Sequence, residues 1–172
     1  MLLQKKEQVK PKGTNAMIKI IKLSTFLILG TIFAASLHYY LPSTVMVQVV
    51  GTEVKRVEKK IKSKKVSDIR YVIARRISDE KTLVFRNEDM AWPPYFKFDS
   101  SDLSGKAIDW SDKNPRPVVL LTYYGWRIPF LSMHPNTTSL KQVDPNYRHI
   151  PWLNIIVIGL LAVLFIYLKI KF

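Results

Sequence analysis

The stretch VMVQVVGTEVKRV, residues 45–57, decides the fold class of the central part of the chain. Six of its residues are valine and one is threonine, and β-branched side chains pack well on a pleated, half-buried strand. The stretch therefore predicts a long β-strand. Gly51 interrupts it and marks a bulge or a tight bend.

Two more strands are predicted directly after this one. Residues 69–73 place Ile, Tyr and Ile at alternate positions, which is typical of a half-buried strand. A turn at residues 78–81 then leads into residues 82–86, which return as a third strand and close a hairpin.

A short helix and two further strands complete the central domain. Asp99-Ser100-Ser101 supply candidate N-caps for a helix that extends to about Trp110. Residues 118–124 form a short apolar run typical of a buried strand, and residues 140–143 are the fifth candidate. Three strands, a helix and two strands is the element order of an OB-type five-stranded barrel. An open antiparallel α+β sheet gives much the same pattern and stays an alternative.

Two apolar blocks flank this domain, at residues 23–41 and 151–168. At about 1.5 Å per helical residue each spans roughly 27 Å, close to the bilayer core of about 30 Å. We therefore predict an α+β membrane protein, in which two transmembrane helices flank a small antiparallel β domain with one short helix. The predicted segments are a basic tail (1–22), a first span (23–41), the β domain (42–150), a second span (151–168) and a short tail (169–172).

Charge predicts the orientation of the chain. The leader before the first span carries six lysines against one acidic residue, Glu7, and the positive-inside rule places such a flank in the cytoplasm. Both termini are then cytoplasmic, and the β domain faces the periplasm of a bacterial inner membrane. A cleaved signal peptide ending near Ala34-Ala35-Ser36 is the alternative for the first block, although its apolar run continues to Leu41. A buried core helix is the alternative for the second block.

Composition narrows the function classes. The chain has 172 residues, 27 basic against 13 acidic, and no cysteine, which excludes disulfides, thiolate metal sites and a cysteine nucleophile. The three histidines lack metal-ligand spacing, and no nucleophile elbow, Ser-x-x-Lys arrangement or glycine-rich phosphate loop occurs. We expect no catalytic, cofactor or metal site. We also expect no nucleic-acid partner, because the basic domain faces outward.

A basic hairpin at residues 55–65 is the strongest charge feature of the β domain. It suits an acidic polymer or an acidic partner protein, and a solvated hairpin tip whose charge prevents aggregation is the alternative. The predicted contact residues in it are Lys59, Lys60, Lys62, Lys64 and Lys65.

An aromatic segment at residues 123–130 is the second candidate surface. Trp, Tyr and Arg are favoured at protein-interface hot spots, and the segment also suits a ligand shelf. A core plug beneath a loop, with Arg127 paired to an acidic residue, is the alternative. The predicted contact residues in it are Tyr124, Trp126, Arg127 and Phe130.

Glu88 and Asp89 are a weaker candidate for acid–base chemistry. Adjacent residues of an extended chain point to opposite faces, which disfavours a cooperating pair. Pro93-Pro94 follows closely and predicts a rigid strap across the sheet.

Nine short segments, taken together, are similar to a known family. They are HYYLP (38–42), VVGT (49–52), DIR (68–70), VFRNED (84–89), WPPYFKFD (92–99), YGWR (124–127), FLS (130–132), HPN (134–136) and IPWLN (150–154). In this order they resemble the bacterial family named domain of unknown function 1523. The resemblance extends from about Leu37 to the C-terminus. It implies a two-span bacterial inner-membrane protein from a family without an established activity.

These features predict a non-enzymatic accessory protein that presents its β domain to another component of the cell envelope. The bilayer and an envelope protein are the expected partners, and a homo-oligomer stays open. A sensor of small ligands, glycans or anionic polymers is the alternative function.

Overall fold

The computed structural model describes residues 12–59, 65–91 and 95–171. Its elements are α1 (Lys12–Tyr40), β1 (Ser43–Lys59), β2 (Lys65–Arg76), β3 (Thr82–Arg86), α2 (Ser100–Ser111), β4 (Val119–Tyr124), a 3-10 turn (Pro129–Leu131), β5 (Asn136–Gln142) and α3 (Trp152–Lys171). The predicted order of three strands, a helix and two strands is confirmed. The chain divides into two compact units, one ending at His38 and the other beginning at Tyr39.

The five strands form a closed barrel in the order β1-β2-β3-β5-β4. The predicted barrel is therefore confirmed over the open sheet. The prediction of a purely antiparallel sheet is wrong at one place, because β3 and β5 run parallel where Arg86 pairs with Asn136. A closed ring of five strands cannot alternate direction throughout, since an even number of reversals is needed to return to the starting direction. One parallel pair is the smallest departure that closes it.

β1 pairs with its two neighbours along different parts of its length. Residues 43–47 pair with β4, and residues 47–59 pair with β2. The register shifts between Val49 and Gly51, which confirms the bulge predicted at Gly51. The bulge bends the strand where it passes from one neighbour to the other.

The core is made by alternate residues of the strands and by one face of α2. Val47, Val49, Val72 and Leu121 are fully buried inside the barrel. α2 adds Leu103 and Ala107 to the same cluster. Each large apolar side chain buried in this way contributes about 1.5–3 kcal/mol to folding.

The β1–β2 hairpin extends beyond the barrel as a two-stranded ribbon. Five consecutive residue pairs, from Lys55 with Ile69 to Lys59 with Lys65, have no third strand beside them in the described chain. At about 3.3 Å per residue this ribbon is roughly 16 Å long. We name residues 55–59 with 65–69 the arm.

α1 and α3 include segments that are long and apolar enough to cross a membrane. They are Met17–Tyr40, with a mean hydropathy of 2.0, and Trp152–Lys171, with a mean hydropathy of 2.5. This finding rests on length and composition. The bounds of α1 reach further toward the N-terminus than the predicted span, because the preceding residues from Lys12 are also helical.

Candidate functional site

Polar side chains form hydrogen bonds between β3 and β5 at the point where these two strands pair, Arg86 with Asn136. Asn136 is 8% exposed, and its side-chain amide accepts from Glu88 N at 3.0 Å and donates to Glu88 O at 3.1 Å. This two-point contact extends the strand pairing past Arg86 by means of a side chain. Asn136 also donates to the Tyr124 hydroxyl at 3.0 Å, which ties β4 to the same junction.

A buried lysine adds further hydrogen bonds at this junction. Lys97 is 5% exposed, and its Nζ donates to Asn87 Oδ1 at 2.5 Å and to Thr137 O at 2.7 Å. Asn87 in turn donates to Ser100 O at 2.8 Å and Ser104 Oγ at 2.9 Å, so the network reaches α2. Burial lowers the pKa of Lys97 to about 8, although nearby carboxylates, Asp99 first, oppose the shift. We name Asn87, Lys97, Asn136 and Thr137 the polar seam.

Glu88 and Asp89 serve different partners. Glu88 Oε2 lies 2.6 Å from Arg86 Nη2 in a partly exposed ion pair. Asp89 Oδ1 accepts from Ser100 N at 3.0 Å, at the start of α2. The pKa of Asp89 is lowered, chiefly by this hydrogen bond from the backbone of Ser100. The two carboxylates thus have separate structural contacts, as expected for neighbours on an extended chain.

A small polar cavity of about 170 Å³ lies beside the polar seam. His134 Nδ1 lies 3.2 Å from Val84 O, which places the ring proton on Nδ1 because a carbonyl oxygen only accepts. The volume suits roughly five water molecules or one small polar ligand. Among the described residues, no group of three His, Asp or Glu side chains is arranged to hold a metal ion. The lining residues are Tyr39, Arg86, Glu88, Asp89, Met90, Tyr124, Met133, His134 and Asn136.

A tight hairpin follows β4. Ile128 N donates to Met133 O at 3.2 Å and Met133 N donates to Ile128 O at 3.1 Å, so the chain between them forms a closed turn. Phe130 at its tip is 84% exposed, and Leu131 is 56% exposed. We name residues 128–133 the apolar hairpin.

The predicted aromatic contact residues divide between surface and interior. Phe130 and Trp126 are exposed, whereas Tyr124 is 4% exposed, its ring stacked on Tyr95 at 4.5 Å between centroids. Tyr124 is therefore a packing residue and not an exposed contact, because β4 turns it toward the seam. Burial raises the pKa of Tyr124. Arg127 Nη1 donates to Met133 O at 2.8 Å, which braces the apolar hairpin rather than pairing with an acidic side chain.

Two of the predicted basic contact residues lie at the far end of the arm. Lys59, the last residue of β1, pairs there with Lys65, the first residue of β2. Lys60, Lys62 and Lys64 lie outside the described residues, as do Pro93-Pro94 of the predicted strap. The structure does not bring the two predicted surfaces together, because the apolar hairpin lies near Ser43, at the opposite end of β1.

Sequence reasoning missed the polar seam. Lys97 and Asn87 stand 10 positions apart, and Asn136 contacts Glu88 over 48 positions. No local spacing connects them. The available signal was their presence in the segments VFRNED, WPPYFKFD and HPN, which carried the family resemblance without a role for each residue.

The family described as "Protein of unknown function (DUF1523)" matches residues 18–171. An uncharacterized protein of Haemophilus influenzae is 35% identical over 154 residues, which cover 82% of this chain and 85% of that protein. No solved structure matches the chain.

Proposed function

The chain belongs to the DUF1523 family of proteins of unknown function, and on that premise we propose a bacterial inner-membrane protein with α1 and α3 as its two spans. Tyr39, Tyr40 and Trp152 lie at the ends of the apolar segments, where interfacial aromatic residues are enriched. Lys169 and Lys171 close α3, and the basic leader, residues 1–22, includes the first residues of α1. This charge distribution supports cytoplasmic termini and a barrel on the periplasmic side.

The proposed role is that of a non-enzymatic accessory protein, which presents the arm to an acidic surface of another envelope protein. The observation that carries this role is the extension of β1 and β2 beyond the barrel. Two-stranded ribbons are marginally stable alone, and their free edges pair readily with other chains. None of the ribbon side chains whose burial the structure describes belongs to the buried core of the barrel, and binding a partner is the use that explains such a ribbon best.

Charge supports the acidic nature of that partner. Lys55 and Arg56 are exposed along the described arm, and Lys59 and Lys65 end it. Arg56 pairs with Asp68 at 3.3 Å, but both side chains are exposed and such pairs contribute little to stability. The arm therefore keeps a positive field for attracting an acidic partner, a field that salt screens.

The test is recovery of partners from native membranes in mild detergent, quantified by mass spectrometry. The variant reverses four charges by substituting Glu for Lys59, Lys60, Lys64 and Lys65. We expect a stoichiometric partner with the parent protein and its loss with the variant. The matched control reverses four exposed lysines of the barrel, Lys81, Lys106, Lys113 and Lys141, and should retain the partner.

Equal recovery with both quadruple variants would remove the arm from the proposed role. Loss with both would mean that net charge, rather than the arm, governs association. A raised salt concentration should weaken recovery of the parent protein, since the attraction is electrostatic.

The polar cavity supports a second candidate function, sensing of a small ligand or a glycan. OB-type barrels bind oligosaccharides through loops at the barrel surface. The test is a thermal-shift screen in detergent with envelope glycans and small polar ligands. A reproducible shift that disappears in His134→Ala would favour the sensor, and no shift across the panel would count against it.

A further inference from the structure

The apolar hairpin presents its tip in an ordered conformation. Ser132 adopts a left-handed backbone conformation with φ 51°, and its N–H donates to Pro129 O at 3.0 Å. The bonds between Ile128 and Met133 close the turn from the other side. Phe130 and Leu131 are thus held outward by the backbone, so little conformational entropy remains to be lost when they are buried.

The apolar hairpin lies at the end of the barrel from which α3 departs. β4 ends where β1 begins, since Tyr123 pairs with Ser43. The preceding residue, Pro42, accepts a hydrogen bond at 3.0 Å from Asn154 Nδ2 in the first turn of α3. Beyond β4, Gly125 N donates to Tyr39 O at 2.9 Å, at the end of the first apolar segment.

A second exposed aromatic segment reaches the same end. Tyr95 donates its hydroxyl proton to Tyr40 O and stacks on Tyr124. The next residue, Phe96, is 56% exposed in a left-handed conformation with φ 38°. Phe96 therefore exposes further apolar surface close to the contacts of Tyr95 with Tyr40 and Tyr124.

We propose that the apolar hairpin docks on the periplasmic leaflet of the bilayer, with Phe130 and Leu131 inserted among the lipids. This inference rests on the proposed function, because it requires α3 to be a membrane span. A span that begins at Trp152 places Pro42 and the end of β4 at the lipid–water boundary. Phe and Leu insert their apolar surface at that depth, and Arg127 adds a positive charge that anionic headgroups attract.

Docking gives the barrel a third attachment beside α1 and α3. Attachment through the two spans alone would leave the barrel freer to tilt. Attachment through the apolar hairpin limits tilting and holds the arm pointing away from the bilayer, where a partner can reach it.

Spin labels on single cysteines test this proposal in the full chain, because the sequence contains no cysteine. The protein is reconstituted into bilayers of phosphatidylethanolamine and phosphatidylglycerol. Labels are placed at Leu131, at Ile158 within α3, and at Val54 on β1, which is 60% exposed. Collisions with oxygen report a lipid environment, and collisions with a water-soluble nickel complex report water.

We expect the Leu131 label to favour oxygen over the nickel complex, as the Ile158 label should, and the Val54 label to do the reverse. Phe130→Asp should make the Leu131 label favour the nickel complex over oxygen, as the Val54 label does. Phe130→Leu should leave the Leu131 label in a lipid environment. Circular dichroism checks that both variants fold, as expected for a side chain with 84% exposure.

A Leu131 label that behaves like Val54 in the parent chain, while Ile158 is in lipid, would overturn docking and leave the proposed span intact. A Leu131 label shielded from both reagents would overturn docking in favour of a protein contact. A lipid signal unaffected by Phe130→Asp would also overturn it. An Ile158 label in water would overturn the proposed membrane location and docking together.

Discussion

Lys97 donates from an almost fully buried position to acceptors on two different segments, Asn87 Oδ1 and Thr137 O. Its neighbours in sequence, Phe96 and Phe98, are exposed. The isolated backbone bridge between Met90 and Lys97 holds Lys97 against the junction, and Phe96, with its left-handed backbone, lies outside it. A charged side chain occupies an interior position here since the β3–β5 junction leaves polar backbone and side-chain groups that need a donor.

The shifted pKa of Lys97 predicts a pH dependence of stability. The folded-state pKa of about 8 lies below the ordinary value of 10.5, so between these values the unfolded chain binds a proton that the folded chain does not. The free energy of unfolding therefore rises with pH across this window. Between pH 8 and 9.5 the free energy of unfolding of the parent should rise by on the order of 1 kcal/mol relative to that of Lys97→Met. Both free energies are measured by denaturant unfolding in detergent.

Lys106→Met serves as the control, because Lys106 is exposed on α2. It should keep the pH dependence of the parent protein. If Lys97→Met also keeps it, the amine of Lys97 is not held in the polar seam.

Among the helices and strands, α2 shows how a residue distant in sequence can cap a helix. The sequence pattern Asp99-Ser100-Ser101 predicts a local N-cap, and the helix does begin at Ser100. Yet Asp99 makes no side-chain capping bond, and Asp89 accepts from Ser100 N instead. Asp89 reaches the helix because the Met90–Lys97 backbone bridge folds the chain back on itself between β3 and α2.

The two aspartates make a matched pair of predictions. Asp89→Ala should lower the free energy of unfolding by about 1 kcal/mol, the usual cost of losing a helix cap. Asp99→Ala should cost less, since no capping bond is lost. Both are measured by denaturant unfolding at neutral pH, and the reverse order would show that the local residue is the cap.

Lowering the pH should reduce the difference in the free energy of unfolding between Asp89→Ala and Asp99→Ala. The pKa of Asp89 is lowered in the folded chain, so its stabilisation is present above the ordinary value of 3.8 and is lost as pH falls through the folded-state pKa.

On the scale of the whole molecule, a barrel with its own core is joined to an arm whose described side chains, at residues 55, 56, 68 and 69, are not among the buried core residues. The buried hydrophobic residues belong to β1–β5 and α2, and the arm lies beyond Tyr71, where the pairing of β2 with β3 ends. We therefore expect the folding of the barrel to be separable from the proposed role of the arm, so that the arm can change in length or charge without disturbing the core.

Shortening the arm tests this separation. Residues 56–68 are replaced by Asn-Gly, a two-residue turn that joins the paired residues Lys55 and Ile69 directly. The thermal unfolding midpoint of the barrel should stay close to that of the parent, while recovery of the envelope partner should be lost. A barrel that fails to fold after this change would show that the arm contributes to the core.

Local sequence determined the kind and order of the elements. β-branched runs, alternation and turn residues specified β1, the bulge at Gly51, the β2–β3 hairpin and the position of α2. These features depend on backbone propensity and on periodicity within a few residues. Both can be read directly from the sequence. Two long apolar blocks were equally evident from composition.

Only the tertiary structure decided how the ring closes and what each polar residue does. Closure required a parallel β3–β5 pair, which follows from five strands meeting in space and not from any single strand. The burial of Lys97 and Tyr124 and the capping of α2 by Asp89 depend on contacts between separate segments. A sequence does not express such contacts, because the free energy of placing a polar or aromatic group inside depends on partners that only folding brings near.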